Sequence, residues 1–511
     1  MPTNFPMLLY FSYKYRSMLN FSNKLKITVF LTGAAILVVE ILGSRILAPY
    51  FGSSLLVWTS IIGVILAAMS LGYYVGGRMA DQNPKVEQLA LVIFLAGAFT
   101  LVLPMLSPFS MYLPTIFGIT AGSLLASIAL FSVPSFLLGI VSPYAVKLNT
   151  SSLSNVGSSA GSLYAISTVG SIAGAFTTGF YLIPLFGIKT ILLFTSIILF
   201  MLPALLLGKK ILPFAVSAAL LTIFISFIPS TTATENSVTI YEADSAYYHI
   251  RVVDSQIDKT RFLFLDRQSA AYVSLSSDQI VFNYINLTIP VYRLKSNAKN
   301  ILFLGLGGGI EPMYFRSLNK TTNIRIVEID SALPDVSKDY FGFQTDDRMK
   351  VFIEDARTFL MRSEEKYDLI RVDAFNSYDS VPIHLTTTEL LQLLKQRLED
   401  NGIVVTHVQS GLEGRGSAFF RSEYKTYKQN FKYVVVISTD PQKPQAFQSI
   451  VLIGSDSADV TGEKILSMVA NDDAIRLAVL SGLWKHEIKT DDVPVLSDDY
   501  APVESMLAAM H

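Results

Sequence analysis

The chain has 511 residues, 51% hydrophobic and only 16% charged, with 40 basic against 41 acidic side chains. That length is too great for one ordinary domain, and a mean hydropathy of +0.44 places part of the chain in lipid. No basic tract supports nucleic-acid binding, and the absence of cysteine excludes disulfides, thiolate metal sites and a cysteine nucleophile.

Charge divides the chain. Charged residues are sparse from Leu25 to Pro229 and recur every few positions from Asp254 onward. Residues 1–26 carry Lys14, Arg16, Lys24 and Lys26 among aromatics, without the long apolar core and cleavage site of a signal peptide. They read as a cytoplasmic or interfacial lead-in. Residues 27–232 predict an all-α membrane bundle. Apolar runs near the roughly 20 residues that cross a bilayer fall at Ile27–Leu47, Leu55–Ala80, Leu89–Leu106, Ser123–Ala145, Ser162–Phe186, Thr190–Leu207 and Ile211–Ile228. These give seven spans, and Phe109–Ile119 adds an eighth or a re-entrant piece.

Three glycine pairs, Gly72/Gly76, Gly157/Gly161 and Gly170/Gly174, put small residues on one helical face and predict close helix packing. Packing within the bundle is the simpler reading; a homodimer is the alternative. Glu40 and Arg45, five residues apart in or beside the first span, are poorly spaced to pair with each other and require partners on other helices or in a polar cavity. The basic N-terminus, Arg78, Lys85 and the Lys209–Lys210 pair favour an N-terminus inside the cell. Seven spans would then carry the second half outside, whereas its chemistry, described next, requires the cytosol.

After the turn-rich residues 229–234, a small β domain is expected over 236–295, with strands at Tyr248–Asp254 and Arg261–Leu265. Residues 296–511 then alternate strand and helix. Strands are expected at Ile301–Leu304, Ile324–Ile329, Met349–Ile353, Asp368–Val372, Ile403–Val408 and Tyr433–Ile437, and helices at Met313–Leu318, Ala356–Arg362 and Thr387–Glu399. That order predicts an α/β, Rossmann-like doubly wound sheet. In such sheets a ligand sits beyond the carboxyl ends of the strands.

The stretch "ILFLGLGGGIEPMYF", residues 301–315, therefore reads as a strand, a glycine turn that lets backbone approach a ligand, and a helix with free N–H groups. Glu328 ends the next strand, placed to accept hydrogen bonds from ribose hydroxyls. Asp355 in "IEDAR" and Asp373 in "LIRVDAF" end the two after it. Three carboxylates thus converge on one rim; for Asp355, which precedes a helical run, capping is the alternative role. No histidine and carboxylate cluster has metal-ligand spacing, and no serine triad is present.

Together, "GLGGG", "VEID", "EDARTFL" and "YDLIRVDAFN" resemble the spermidine synthase (aminopropyltransferase) branch of the Rossmann-like methyltransferase superfold. The likeness is closer to its membrane-fused relatives, through "GAAILVVEILGSRILAPYFGSS", "LGYYVGGRMAD", "GSLYAISTVGSIAGAF", "PIHLTTTELLQLLKQRL" and "LSDDYAPVE". The resemblance implies that Gly305, Gly307, Gly308 and Gly309 line an adenosyl donor, that Glu328 and Asp330 of "VEID" hold its ribose side, and that Asp355 with Ala356 reads the adenine edge. It implies Asp373 and Tyr378 as catalytic residues, and Tyr248, Gln268, Tyr284, Asn376 and His384 as substrate contacts. For His384 and His407 a structural hydrogen bond is the alternative, and for Tyr378 and Asp379 a solvated loop.

The departures lie on the amine side. The family's Asp after the glycines, which binds the donor's amino end, is Ile310 here, with Glu311 next to it. Its "YQ" reads Tyr247–Tyr248, its Tyr-His-Glu element reads Phe282, Asn283 and Tyr284, and the second acid of its catalytic loop reads Asn376. The expectation is a membrane-bound transferase that uses decarboxylated S-adenosylmethionine or S-adenosylmethionine as donor substrate, with no prosthetic group, and releases methylthioadenosine. A polyamine is the acceptor implied, the lipid bilayer a partner, and the cell (inner) membrane the location, with the second half in the cytoplasm. A donor-cleaving lyase, a methyltransferase and a nucleoside-sensing transporter are the alternatives.

Overall fold

The computed structural model describes residues 5–52, 54–150, 152, 155–208, 211–226, 236–266, 268–275, 285–374 and 381–508. The expected site residues Tyr284, Asn376 and Tyr378, with Phe282, Asn283 and Asp379, lie outside the described residues. The chain divides into two compact units, Met1–Phe51 with Leu55–Thr231 and Gly52–Ser54 with Thr232–His511.

The first unit is helical: α1 (Phe5–Phe51), α2 (Leu55–Gln82), α3 (Val86–Leu106), α4 (Leu113–Asn149), α5 (Val156–Thr177), a short α6 (Ile183–Leu185) reached through a π turn, α7 (Ile188–Leu207) and α8 (Leu212–Ser226). Among the described residues, six stretches are long and apolar enough to cross a membrane: Phe21–Phe51, Leu55–Gln82, Val86–Ser110, Thr120–Asn149, Val156–Leu182 and Ile188–Leu207. The seventh expected run forms α8, whose 15 described residues are shorter than a bilayer requires. The expected extra piece becomes a 3-10 turn, Ser107–Tyr112, and the first turns of α4, which break at Gly118 (φ +70°).

Two glycine pairs do what their spacing predicts. A methyl on Gly72 would strike the Phe136 carbonyl, and one on Gly76 would lie 2.7 Å from the Ile140 carbonyl, so α2 packs on α4 backbone to backbone. Gly170 and Gly174 press α5 onto α1 in the same way, at Phe30 and Ala34. Gly157 and Gly161 differ from the expectation, because no described atom lies within 4 Å of either added methyl. The surface of the unit is correspondingly apolar, with Leu66, Phe99, Ile116, Phe176 and Phe180 all exposed.

The second unit holds two sheets. An antiparallel sheet runs β1 (Ser237–Asp244), β2 (His249–Ser255), β3 (Thr260–Leu265), β4 (Gln268–Ser274) in that order. A seven-stranded sheet has the order β10-β11-β9-β8-β5-β6-β7. Its strands are β5 (Asn300–Leu304), β6 (Asn323–Glu328), β7 (Met349–Ile353), β8 (Tyr367–Val372), β9 (Leu398–Ser410), β10 (Tyr433–Ser438) and β11 (Gln448–Ser455). Only β11 runs against its neighbours. The helices between them are α9 (Ile285–Leu294), α10 (Ile310–Leu318), α11 (Leu333–Phe341), α12 (Ala356–Arg362), α13 (Thr388–Gln396) and α14 (Ala418–Asn430), followed by α15 (Gly462–Ser467), α16 (Asp473–Gly482) and α17 (Val503–Ala508).

The apolar run of β5 shows why the sheet is covered on both faces. Ile301 and Phe303 enter one core, which they share with Tyr248, Ile250 and Leu263 of the small sheet. Leu302 and Leu304 enter the other, with Leu390 and Leu394 of α13. Strand order reverses at β5, between β8 and β6, and that is where a doubly wound sheet opens a crevice.

Candidate active site

The crevice is a cavity at the carboxyl ends of β5 to β9. Gly305, with φ +103°, turns the chain there, and its close approach to the Asp373 carbonyl leaves no room for a side chain. Gly307 and Gly308 line the cavity beside it, and Gly308 packs on the Ala271 methyl of β4. Gly309 lies outside the lining, because the Phe343 ring occupies the place of its side chain. Glu328, Asp355, Ala356 and Asp373 all line the cavity, as do Tyr248, Gln268 and His384.

At one end the carboxylates are held mainly by neutral donors, backbone N–H groups and a hydroxyl. Glu328 is buried, and its two oxygens accept from the backbone N–H of Leu306 and of Asp330, each at 2.9 Å. Burial pushes its carboxyl up to about 7, against the pull of those hydrogen bonds. Asp330 itself lies outside the lining; its carboxylate accepts from the Ser245 hydroxyl and from Ala332 N–H. Asp355 caps α12, with Oδ1 accepting from Thr358 N–H at 2.9 Å and the Thr358 hydroxyl at 3.0 Å. Its Oδ2 meets His384 Nε2 at 3.1 Å. Burial works against ionisation here, but the bonds from Thr358 and His384 outweigh it, and the carboxyl stands below its ordinary range. The capping role of Asp355 and its place on the cavity therefore coexist, and the structural hydrogen bond of His384 is made to a cavity residue.

At the other end a buried arginine takes part. Arg371, on β8 with only 1% of its side chain exposed, donates from Nη2 to Asp373 Oδ2 at 2.9 Å. Its Nε donates to Glu311 Oε2 at 2.8 Å and its Nη1 to the Val372 carbonyl at 2.9 Å. Glu311 also accepts from the Thr288 hydroxyl at 3.1 Å. Asp373 Oδ1 meets His407 Nδ1 at 3.1 Å, from β9. Ile310 lines the cavity while Glu311, one residue on, turns toward Arg371. The Arg371–Glu311 pair was legible only as a charge inside an apolar strand, "YDLIRV", which demands a buried counter-charge without saying where it lies.

Chemically, this cavity offers acceptors for hydroxyls at one end and a fixed carboxylate for a cation at the other. Residues 287–452 match the family described as Spermine/spermidine synthase domain. The chain carries a spermidine synthase-like domain.

Among curated relatives, Polyamine aminopropyltransferase 2 of Aquifex aeolicus is 26% identical over 431 residues, 79% of this chain and 81% of that protein. The Probable polyamine aminopropyl transferase of Bifidobacterium longum is 28% identical over 180 residues, 35% of this chain and 39% of that protein. The family match and these relatives support a polyamine synthase-family transferase. A solved structure, a probable spermidine synthase from Corynebacterium glutamicum, aligns with a TM-score of 0.40 and 19% identity over 50% of this chain and 98% of that one. At that score the alignment adds nothing to the fold, which rests on the strand order above.

Proposed function

We propose that the second unit binds an adenosyl sulfonium donor, decarboxylated S-adenosylmethionine or S-adenosylmethionine, transfers its aminopropyl group (3-amino-3-carboxypropyl from the latter) to an amine and releases methylthioadenosine. The observation that carries this reading is the convergence of Glu328, Asp355 and Asp373 on one cavity beside the glycine turn. Glu328 would accept from the ribose hydroxyls, and Asp355 with Ala356 would read the adenine edge, leaving the sulfonium toward Asp373.

The acceptor nitrogen attacks the propyl carbon bonded to sulfur. The carbon–sulfur bond breaks, its electron pair stays on sulfur, and methylthioadenosine leaves neutral. The nitrogen gives up a proton, and Asp373 is placed to attract the cation and take that proton. The guanidinium of Arg371 shares the Asp373 charge, so orientation of the cation is the larger part of its role. Tyr378 and Asn376, which follow Asp373 in sequence, and Tyr248, Gln268, Tyr284 and His384 are the proposed acceptor-side contacts.

One observation favours a second reading. Ile310, which lines the cavity, is apolar, and the Glu311 carboxylate next to it is neutralised by the Arg371 guanidinium at 2.8 Å, so the carboxylate of intact S-adenosylmethionine meets less repulsion there. Attack by that carboxylate on the same carbon would cleave the donor without any amine. We further propose that the first unit anchors the protein in the cell membrane. The six candidate spans among the described residues are an even number, which fits a second unit on the cytoplasmic side that the basic N-terminus favours.

Mass spectrometry of the purified protein with each donor, with and without putrescine, tests the reading. Methylthioadenosine with an aminopropylated amine is the expected result, and methylthioadenosine without amine selects the lyase. S-adenosylhomocysteine, or no turnover at all, contradicts both.

A further inference from the structure

The tail motif "LSDDYAPVE" has no part in the reaction above, yet its first acid is tied to the cavity. Asp498 receives both terminal nitrogens of Arg357, Nη1 to Oδ1 at 2.7 Å and Nη2 to Oδ2 at 2.5 Å. Its Oδ1 also accepts from the Thr387 hydroxyl at 2.8 Å, and its backbone N–H donates to Glu389 Oε2 at 3.0 Å. The tail is docked beside it by Leu496, fully buried, whose carbonyl accepts from Thr388 N–H at 2.8 Å.

The two residues that Asp498 holds belong to the two segments forming the nucleoside end. Arg357 lies two residues after Asp355, in the first turn of α12, and its Nη1 also donates to the His384 carbonyl at 3.3 Å. Thr387 lies three residues after His384 and caps α13. Between these segments, at the cavity itself, the only direct side-chain bond among the described residues is His384 Nε2 to Asp355 Oδ2, at 3.1 Å, with His384 half-exposed. One exposed bond is a weak tie between two loops. The fork-to-fork Arg357–Asp498 pair adds a fixed one from behind.

We propose that Asp498 is a positioning residue that sets the separation of Asp355 and His384, and so the fit of the adenine. This rests on the reading of that end as a nucleoside pocket. An exposed ion pair contributes little to stability, so the brace acts on geometry: losing it leaves the fold intact and the pocket loose. Asp499 and Tyr500, in the same motif, are exposed.

The test is calorimetric titration of the full chain in detergent with methylthioadenosine, together with donor kinetics. Asp498→Ala weakens methylthioadenosine binding about tenfold and raises the donor KM in parallel, while kcat at saturating donor stays within about twofold, because only ground-state positioning is lost. Arg357→Lys, which keeps the charge but not the fork, weakens binding about threefold. Tyr500→Ala binds as the unaltered protein does. Wild-type affinity in Asp498→Ala overturns the brace, and so does a fall in kcat with KM unchanged. Should Asp498→Ala fail to fold, Arg357→Lys decides, and unchanged affinity there overturns the proposal. If the unaltered protein binds no methylthioadenosine, the nucleoside reading falls first and the brace falls with it.

Discussion

The two ends of the cavity hold their carboxylates by different means. Glu328 and Asp355 are fixed by backbone N–H groups, a threonine and a histidine. Asp373 is fixed by a fully buried guanidinium and a second histidine. Backbone and hydroxyl donors, which are neutral, orient a carboxylate and leave it charge to offer a ligand's hydroxyls. A buried arginine orients it more firmly and cancels part of that charge, which suits a site meeting one cation rather than several.

The largest effect that would break this contrast comes from the transfer end. Asp373→Asn should lower turnover by about 10²- to 10⁴-fold, the usual worth of a positioned acid–base group, with methylthioadenosine affinity almost unchanged. Loss of affinity in step with turnover would make the two ends one.

Next comes the buried pair. Glu311→Ala leaves Arg371 short of a counter-charge, with a cost to stability of about 3–5 kcal/mol, read as a lower melting temperature of the second unit. A silent Glu311→Ala would mean that Asp373 alone balances Arg371.

A smaller effect sharpens the neutral end. The folded Glu328 carboxyl titrates near 7, above the ordinary 4.5, so it binds a proton that the free carboxyl has lost between those values. Binding of a nucleoside whose hydroxyls donate to the ionised form should therefore strengthen from pH 6 to pH 8. Glu328→Gln should weaken binding about tenfold and abolish that slope, since an amide accepts hydrogen bonds less strongly and does not titrate. A slope that persists in Glu328→Gln assigns the titration elsewhere.

The smallest concerns the small sheet. Burial lowers the basicity of His249, but Asp244 at 2.6 Å and Glu242 at 3.2 Å outweigh it and raise its pKa from 6.5 to about 9. The stability this adds is complete below pH 6.5 and is lost as pH rises through 9. Melting between pH 7 and pH 10 should fall by a few degrees, roughly what one to two kcal/mol displaces a domain of this size, and the fall should be smaller in His249→Gln.

Much of this site was legible. A strand that runs into glycines, followed at strand spacing by Glu328, Asp355 and Asp373, announces a βαβ crevice because local periodicity determines it. What was not legible depends on contacts between distant segments. Arg371 meets Glu311, in the first turn of α10, across 60 positions of chain, and Asp498 meets Arg357 across 141. The bond between Ser245, in the turn between β1 and β2, and the Asp330 carboxylate is another such contact, across 85 positions. Strands β1, β4 and β11 were overlooked: "SVTIYEAD" alternates as an exposed sheet does, while β11 reads as a plain apolar run. In the helical unit, composition located the long apolar helices, and only packing separates the glycine pairs that touch a neighbouring helix from Gly157/Gly161, beside whose added methyls no described atom lies within 4 Å.

The most direct measurement is a structure of the full chain with methylthioadenosine bound. The account predicts the ribose hydroxyls on Glu328, the adenine against Asp355 and Ala356, and the methylthio group directed at Asp373. A nucleoside bound elsewhere, or one whose sulfur points away from Asp373, would contradict it.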